Sequence, residues 1–169
     1  MINKLDSILN FSKILVPMDG SEWSLVAARY AVVIAKKNNA ELNAIHVLTP
    51  SGYEYMFDVI PAGTSTLEEL MSGSNQTVKR WTDEITKERQ QQTNIGINKN
   101  STLAKTYIKT DVILAVKSIA AEIVDYAEHK NIDLIIIGTK GRSRIKKMLL
   151  GSVALGVVTY AHCPVMVVK

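Results

Sequence analysis

The chain has 169 residues, of which 47% are hydrophobic and 21% are charged, and its formal net charge is +4. This composition is that of a folded globular domain and excludes a disordered chain. The positive charges are scattered apart from the run 142–147, which suits an anionic ligand but excludes a dedicated nucleic-acid surface. We expect one domain at 12–169, preceded by an N-terminal extension at 1–11.

The cysteine content and the hydropathy bound the cellular location. A single cysteine, Cys163, allows no internal disulfide and is typical of a reducing compartment. The N-terminal sequence MINKLDSILNFSK lacks the apolar run of a signal peptide. No stretch reaches the ~18 apolar residues that a membrane span requires. We therefore expect a cytoplasmic protein that has neither a membrane nor a nucleic acid as its partner.

Five short apolar runs predict β-strands, and the segments between them have helical periodicity. Near-continuous Val, Ile and Leu are typical of parallel strands that are covered on both faces. The predicted strands are KILVPMD at 13–19, ELNAIHVL at 41–48, TDVILAV at 110–116, DLIIIG at 133–138 and PVMVV at 164–168. The predicted helices are 21–38, 64–92, 118–130 and 151–161.

The boundaries of the first two helices carry local signals. Ser21 is a good N-cap for the first helix, and the capping-box pattern Ser65-x-x-Glu68 opens the second. Gly73 lies inside the second helix and is a candidate for a kink or a division. The loop 50–66 before this helix is long for a compact domain, which is typical of a functional or a mobile segment.

The alternation of strands and helices predicts an α/β fold with a five-stranded parallel sheet and helices on both faces. One common strand order for such a sheet is 3-2-1-4-5, in which the winding reverses between the first and fourth strands. Ligands of open parallel sheets bind at that reversal, beside the carboxyl ends of the strands. The loops that end there are VPMDGS at 16–21 and GTKGRSR at 138–144, and we expect them to form one site.

The loop after the fourth strand has the features of a phosphate-binding turn. Gly138 and Gly141 let backbone N–H groups approach a ligand closely. Gly151-Ser152 begins the last helix, where free N–H groups favour an anion. The flanking cations that add attraction for negative charge are Lys140, Arg142 and Arg144. The alternative is that the glycines only turn the chain and the cations are solvated, but the full spacing favours phosphate binding.

The loop after the first strand adds a carboxylate. Asp19 follows a buried strand, so its side chain faces the same crevice and is suited to accept hydrogen bonds from ribose hydroxyls. Pro17 has a fixed φ and no N–H group, and it offers an apolar wall. The alternative role of Asp19 is to cap the following helix, but Ser21 already provides that cap.

Other catalytic and metal-binding patterns are missing from the sequence. There is no P-loop, no GxGxxG and no G-x-S-x-G pattern. The three histidines lack metal-ligand spacing, and one cysteine cannot build a structural zinc site. We predict that His46 and His162 are structural histidines and that Cys163 is a buried thiol. We assign no catalytic residue and no protein ligand for a metal.

Three segments resemble the universal stress protein family. They are KILVPMDGSEWS at the first strand, HCPVMVVK at the end of the chain, and a G-x2-G-x9-G-S pattern formed by Gly138, Gly141, Gly151 and Ser152. In that family the glycine pattern separates members that bind ATP from members that do not. The resemblance covers 12–169. It implies the ATP-binding branch and a Rossmann-like fold of the adenine nucleotide alpha hydrolase type.

The resemblance also implies roles for individual positions. Asp19 is expected to contact the ribose, and the adenine is expected to lie against Pro17, Met18 and Val47, with Ile137 at its edge. The phosphates are expected at the glycine loop and at the backbone that opens the last helix. The complete expected nucleotide-binding set is Pro17, Met18, Asp19, Ser21, Val47, Ile137, Gly138, Gly141, Arg142, Gly151, Ser152 and Val153.

The resemblance implies ATP or AMP as the ligand, with Mg²⁺ or Mn²⁺ bound through the phosphates. It also implies a homodimer formed through the last strand at 164–168, an uncharged edge that needs a partner. We expect a regulatory or stress-linked protein that hydrolyses ATP slowly or not at all, because no residue is an obvious base for water. Two alternatives stay open: an enzyme of adenylyl or phosphoryl transfer, and a dimeric scaffold whose glycine loop binds nothing.

Overall fold

The computed structural model describes four parts of the chain, which are 10–49, 67–93, 108–142 and 150–169. The predictions for the extension at 1–9, the loop 50–66 and Arg144 lie outside these ranges. No helix within them is both long enough and apolar enough to cross a bilayer.

Within the described ranges, five strands and four helices alternate along the chain. The strands are β1 (Lys13–Pro17), β2 (Glu41–Leu48), β3 (Ile108–Leu114), β4 (Leu134–Gly138) and β5 (Val165–Val168). The helices are α1 (Glu22–Asn38), α2 (Leu67–Thr93), α3 (Ile119–His129) and α4 (Ser152–Tyr160). All neighbouring strands are parallel, and the sheet order is β3-β2-β1-β4-β5. The predicted α/β fold and its strand order are confirmed.

Alternate side chains of each strand point to opposite faces of the sheet, so the molecule has two cores. Ile14 and Val16 of β1 pack with α1 and α2, whereas Leu15 packs with α3 and α4. α1 presents small residues to the sheet, and this lets the helix approach the strands closely; they are Ala27, Ala28, Ala31 and Ala35. Both faces are covered, which explains why β1 and β4 appear in the sequence as continuous apolar runs.

Polar side chains and a left-handed residue cap the ends of α1 and α3, and the predicted cap at Ser21 is confirmed. The Oγ of Ser21 accepts a hydrogen bond from the N–H of Ser24 at 3.3 Å, which caps α1. α1 ends at Asn39, whose φ of 52° is left-handed. Ser118 caps α3 in the same way as Ser21, by accepting from the N–H of Ala121 at 3.2 Å.

α2 runs without a break through Gly73, so this glycine, a candidate for a kink or a division, does not divide the helix. An isolated glycine costs about 1 kcal/mol relative to alanine in a helix, which packing of the rest of the helix can offset. Val78 and Ile85 of α2 are buried in the core beneath it. Tertiary packing therefore outweighs the local preference at this position.

β3 begins and ends two residues earlier than the apolar run 110–116 indicates. It pairs with β2 over seven positions, from Leu42 opposite Ile108 to Leu48 opposite Leu114. The strand lies at the edge of the sheet, and its exposure alternates at the start instead of being buried throughout. The apolar run therefore does not mark the ends of an edge strand.

Candidate functional site

Three turns meet at the carboxyl ends of β1 and β4. The N–H of Arg142, in the turn after β4, donates to Oδ2 of Asp19, in the turn after β1, at 3.2 Å. The N–H of Gly151, just before α4, donates to the carbonyl of Thr139, just after β4, at 2.7 Å. The first bond joins the turn after β1 to the turn after β4, and the second joins the turn after β4 to the turn before α4. These are the three turns of the candidate site. The structure thus brings the two glycine-bearing turns and Asp19 together at the reversal of the sheet, as the sequence predicts.

The carboxylate of Asp19 is the central group of this site. Its Oδ1 accepts from the N–H of Ser21 at 2.9 Å, and its Oδ2 accepts from the N–H of Arg142. Asp19 therefore stabilises the turn before α1 and joins the two loops, whereas the cap of α1 is Ser21. Each carboxylate oxygen has two lone pairs, so both retain the capacity to accept another hydrogen bond. The residue is also partly exposed to solvent.

Gly141 is in close contact with this carboxylate. A Cβ at Gly141 would lie 2.7 Å from Oδ2 of Asp19, nearer than real Cβ atoms approach an oxygen. Gly151 is less crowded, because a Cβ there would lie 3.3 Å from the carbonyl oxygen of Thr139. The close approach of the two loops thus requires glycine most strongly at position 141.

Gly138 differs from the other glycines because it is buried within β4. A Cβ at this position would lie 2.7 Å from the carbonyl carbon and oxygen of Trp23, in the first turn of α1. The missing side chain therefore lets α1 pack against β4. The involvement of Gly138 in phosphate binding stays a prediction, and its surroundings give it a packing role of its own.

The N-terminus of α4 lies beside the glycine turn. Gly151 is its N-cap, with φ −70° and ψ 154°, and no side chain caps the helix. The first N–H groups of a helix have no partner within it, and the helix dipole favours an anion there by about 0.3–1 kcal/mol. Ser152 is exposed and Val153 is partly buried against the core under α3 and α4. The backbone of both residues can therefore bind an anion.

Most of the predicted apolar wall lies on the α3 and α4 face of the sheet. Val47 and Ile137 pack with the core of that face. Pro17 shares the face with Leu15, two residues before it in β1. Met18 is different, because its side chain is 3% exposed and packs in the opposite core, under α1 and α2. Only the backbone of Met18 is therefore placed to make the predicted contact with adenine.

The turn after β1 is supported from the opposite face by two residues of β2 and α2. Nδ1 of His46 lies 2.6 Å from the carbonyl oxygen of Met18, so Nδ1 carries the proton and donates it. The ring of Trp81 meets the His46 ring edge-on, with 5.8 Å between centroids. A Cβ at Gly20, whose φ is 76°, would lie 2.5 Å from the Trp81 ring. Trp81 and His46 together fix the path of the chain on either side of Asp19.

His46 keeps its neutral form in this environment. Burial lowers the pKa of His46, while its hydrogen bond to the Met18 carbonyl and the charge of Asp19 oppose this effect. The predicted structural role of His46 is confirmed by its hydrogen bond. The sequence gives no signal for the contact between His46 and Trp81, which lie more than 30 residues apart.

The other two predictions about isolated residues have mixed outcomes. Nε2 of His162 lies 3.1 Å from the carbonyl oxygen of Ile132, which confirms a structural role. Cys163 is only partly buried, so the prediction of a buried thiol is too strong. Burial nevertheless raises the pKa of the Cys163 thiol, which keeps it protonated and poorly reactive.

No group of three or more His, Cys, Asp or Glu side chains suited to a metal ion occurs among the residues that the structure describes. A surface depression of about 590 Å³ lies away from the three turns, between α2 and the edge strand β3. Its lining residues are Met71, Ser72, Asn75, Gln76, Lys79 and Thr110. It is wide open to solvent, so the three turns remain the candidate site.

A parallel sheet with an anion-suited turn at its reversal is the architecture of a Rossmann-like ligand-binding protein. The chain matches the Universal stress protein family over residues 10–169, and it belongs to that family. It is 40% identical over 159 residues to universal stress protein MJ0531 of Methanocaldococcus jannaschii, a match that covers 94% of this chain and 82% of that protein.

Solved structures share the fold. The universal stress protein from Archaeoglobus fulgidus in complex with dAMP is 20% identical, with a TM-score of 0.61, over 95% of this chain and 99% of that one. A universal stress protein in complex with cAMP is 21% identical, with a TM-score of 0.61, over 95% of this chain and 98% of that one. At these identities the likeness establishes the fold alone.

Proposed function

We propose that this chain is a universal stress protein of the ATP-binding branch, and that an adenine nucleotide binds at the three turns around Asp19. The observation that carries the proposal is the pair of hydrogen bonds from Arg142 to Asp19 and from Gly151 to Thr139. They bring a carboxylate, a glycine turn and a helix N-terminus into one crevice, which suits a ligand with both ribose and phosphate. The relatives in complex with cAMP and dAMP support an adenine nucleotide as the ligand class.

Each part of the nucleotide has a group of matching chemistry in this crevice. The free lone pairs of Asp19 accept hydrogen bonds from the ribose hydroxyls. The adenine lies against the apolar wall that Pro17, Val47 and Ile137 form on the α3 and α4 face. The phosphates lie at the glycine turn and the start of α4, and their contacts are Gly141, Arg142, Gly151, Ser152 and the backbone of Val153. Ser21 and Gly138 contribute indirectly, by supporting Asp19 and by packing.

Several weak contacts must act together on the phosphates. The helix dipole alone supplies about 0.3–1 kcal/mol, which is too little to hold an anion in water. Backbone N–H groups from two turns add charge-assisted hydrogen bonds, which are stronger than neutral ones. A divalent cation, Mg²⁺ or Mn²⁺, is held in this proposal through the phosphates of ATP and not through a protein cluster.

Hydrolysis is slow or absent in this proposal, because no described side chain near the phosphates is assigned as a base. Both oxygens of Asp19 already accept backbone hydrogen bonds. The imidazole of His46 is held on the other face of the sheet by the Met18 carbonyl. Such a site suits a regulatory protein whose state depends on bound nucleotide. Phosphate release near ~1 s⁻¹ or faster would instead favour the enzyme alternative.

The homodimer is proposed to form through β5, which is an edge strand with three partly exposed residues. The carbonyls of Pro164 and Val168 bond to β4, so the alternation of a parallel strand directs the N–H of Val167 outward. Val167→Pro removes that outward donor and is expected to yield a monomer in analytical ultracentrifugation. A monomeric wild-type chain would contradict the dimer, and an unchanged dimer in the variant would contradict the β5 interface.

Nucleotide binding is tested by calorimetry and by thermal unfolding with ATP and AMP, each with and without Mg²⁺. At 100 times Kd a ligand stabilises the folded state by about 2.7 kcal/mol, and this raises the melting temperature of a chain of this size by roughly 5–11 °C. Gly141→Ala forces a Cβ against Asp19 and is expected to weaken binding strongly. Gly73→Ala is the matched control, because nothing lies within 4 Å of its added Cβ. An unmoved wild-type transition at millimolar ATP would favour the empty scaffold.

A further inference from the structure

Asp111 lies in the middle of β3, the strand that ends one side of the sheet within the described ranges. Aspartate is among the residues least common in strands, because its short polar side chain competes for backbone hydrogen bonds. Asp111 is exposed, and the next residue, Val112, is buried. Neither burial nor strand preference therefore explains an aspartate at this position.

The carboxylate of Asp111 bonds to a backbone group on the outer side of β3. Its Oδ1 accepts from the N–H of Val112 at 2.9 Å. The N–H of Ala115 donates in the other direction, to the carbonyl of Leu48 in β2, at 2.6 Å. N–H groups along a strand alternate in direction, so that of Val112, three residues before Ala115, points away from β2. The N–H that Asp111 occupies is thus one that a strand added to this edge would use.

The other charged side chain on this face of β3 is arranged differently. Lys109, two residues before Asp111, reaches across to β2 and bonds to Oε2 of Glu41 at 2.7 Å. That ion pair links β3 to β2 inside the sheet. Of the two charged residues, Asp111 is the one that bonds on the outer side of the strand.

The two edges of the sheet differ in this respect. β5, at the opposite edge, has the uncharged sequence VMVV and directs the N–H of Val167 outward. An exposed strand edge is a template for pairing with another chain, and charged side chains are a common means of preventing it. A strand added at β3 would have to displace the Asp111 carboxylate from Val112 and lie beside its charge, which carries a desolvation cost.

We propose that Asp111 closes the β3 edge to strand pairing, so that copies of this chain associate through β5 alone. A chain that paired at both edges would have two interfaces on opposite sides of one sheet, and its copies would link into open-ended assemblies. Closure of one edge limits the assembly to a dimer. The inference goes beyond nucleotide binding; its second half rests on the proposed β5 dimer, whereas the closure of β3 does not.

The test compares three substitutions of Asp111 by sedimentation velocity over about a hundredfold range of protein concentration. Asp111→Thr and Asp111→Ala remove the carboxylate, and threonine also favours a strand. Both are expected to form assemblies larger than those of the wild type at concentrations at least about tenfold lower, because a two-fold contact between β3 edges regains two outward N–H groups. Asp111→Asn keeps an oxygen that accepts from Val112, and it is expected to sediment as the wild type does.

Two controls separate pairing at the β3 edge from a general loss of solubility. The formal net charge is +4, so removal of a carboxylate makes the chain more positive and by itself opposes association. Glu128→Ala makes the same change of charge at an exposed position near the end of α3, and it is expected to leave the assembly unchanged. Hydrogen exchange locates the new contact, because the outward amides of Thr110, Val112 and Leu114 are expected to become protected as Asp111→Thr assembles.

The outcomes distinguish closure of β3 from the dimer through β5. If both Asp111→Thr and Asp111→Ala sediment as the wild type does at every concentration, the proposal is overturned. Assembly without protection of the β3 amides would also overturn it, because the contact would lie elsewhere. If Asp111→Asn assembles as Asp111→Ala does, the hydrogen bond to Val112 is refuted as the cause of closure. A monomeric wild type refutes only the β5 dimer, and Asp111→Thr is then expected to form a dimer through β3.

Discussion

Gly138→Ala tests whether the first glycine of the pattern is required by packing. The added Cβ would lie 2.7 Å from two backbone atoms of Trp23 and 2.9 Å from its Cβ. Ordinary van der Waals contact begins at 3.4 Å, so α1 and β4 must separate by about 0.7 Å, the difference between the two distances. The neighbour is backbone in the first turn of a helix, which cannot turn aside as a flexible side chain does.

The cost of this separation follows from the position of β4 in the sheet. β4 is bonded to β1 on one side and to β5 on the other, so it cannot shift away from α1 alone. Overpacking of a core costs typically 1–3 kcal/mol, and we expect the upper end of that range here, about 3 kcal/mol. For a chain of this size that loss lowers the melting temperature by roughly 6–12 °C.

The assay is guanidinium denaturation of the wild type and of two variants without nucleotide. Gly73→Ala adds the same methyl group where nothing lies within 4 Å, in the middle of α2. It is expected to stabilise the chain by about 0.5–1 kcal/mol, because alanine is the better helix former. If Gly138→Ala unfolds with a free energy within 0.5 kcal/mol of the wild type, α1 does not pack on β4 as described, and the steric argument is refuted.

Two further changes probe the support beneath the first turn. Gly20→Ala places a Cβ 2.5 Å from the Trp81 ring at a residue whose φ of 76° is left-handed. It is expected to lower the free energy of unfolding by at least about 2 kcal/mol. A smaller loss in a denaturation experiment would contradict this contact. His46→Asn keeps a donor for the Met18 carbonyl but removes the titrating ring. Because burial lowers the folded-state pKa of His46 below 6.5, the unfolded chain binds that proton first, and the wild type loses up to about 1.4 kcal/mol per pH unit as the pH falls below 6.5. Denaturation from pH 7.5 to 5 is expected to show a shallower decline for the variant, and parallel curves would refute the assignment.

The sequence predicted the architecture because its strongest signals are local. Apolar runs mark β1 and β4, which are covered on both faces, and Ser21 acts as the predicted cap of α1. The same reasoning misplaced β3, whose ends are set by pairing with β2 and not by its own hydrophobicity. The hydrophobic pattern along the chain indicates which residues are buried and where the chain turns. The ends of an edge strand depend instead on the strand with which it pairs.

The site was predictable only in part, for a related reason. Asp19 and the glycine pattern are visible in sequence because they occupy loops at a topological reversal. The side chain of Met18 turns away from the crevice, because one step along a strand changes the face of the sheet. The contact between Gly20 and Trp81 joins segments about 60 residues apart, and no local pattern encodes it.

The glycines of this site are close-approach positions more than turn positions. Of the four that meet neighbouring atoms around the three turns, only Gly20 has a left-handed φ; Gly138 and Gly141 are required by contacts at 2.7 Å. Close contacts of this kind hold the turns in place before a ligand arrives, so less conformational entropy is lost on binding. The hydrogen bonds from Ser21 and Arg142 to Asp19 act in the same direction. A site held in this way is expected to bind its nucleotide with little movement of the backbone. The glycines of the pattern then serve two purposes, because they allow the turns to pack closely and they allow the backbone to contact the ligand.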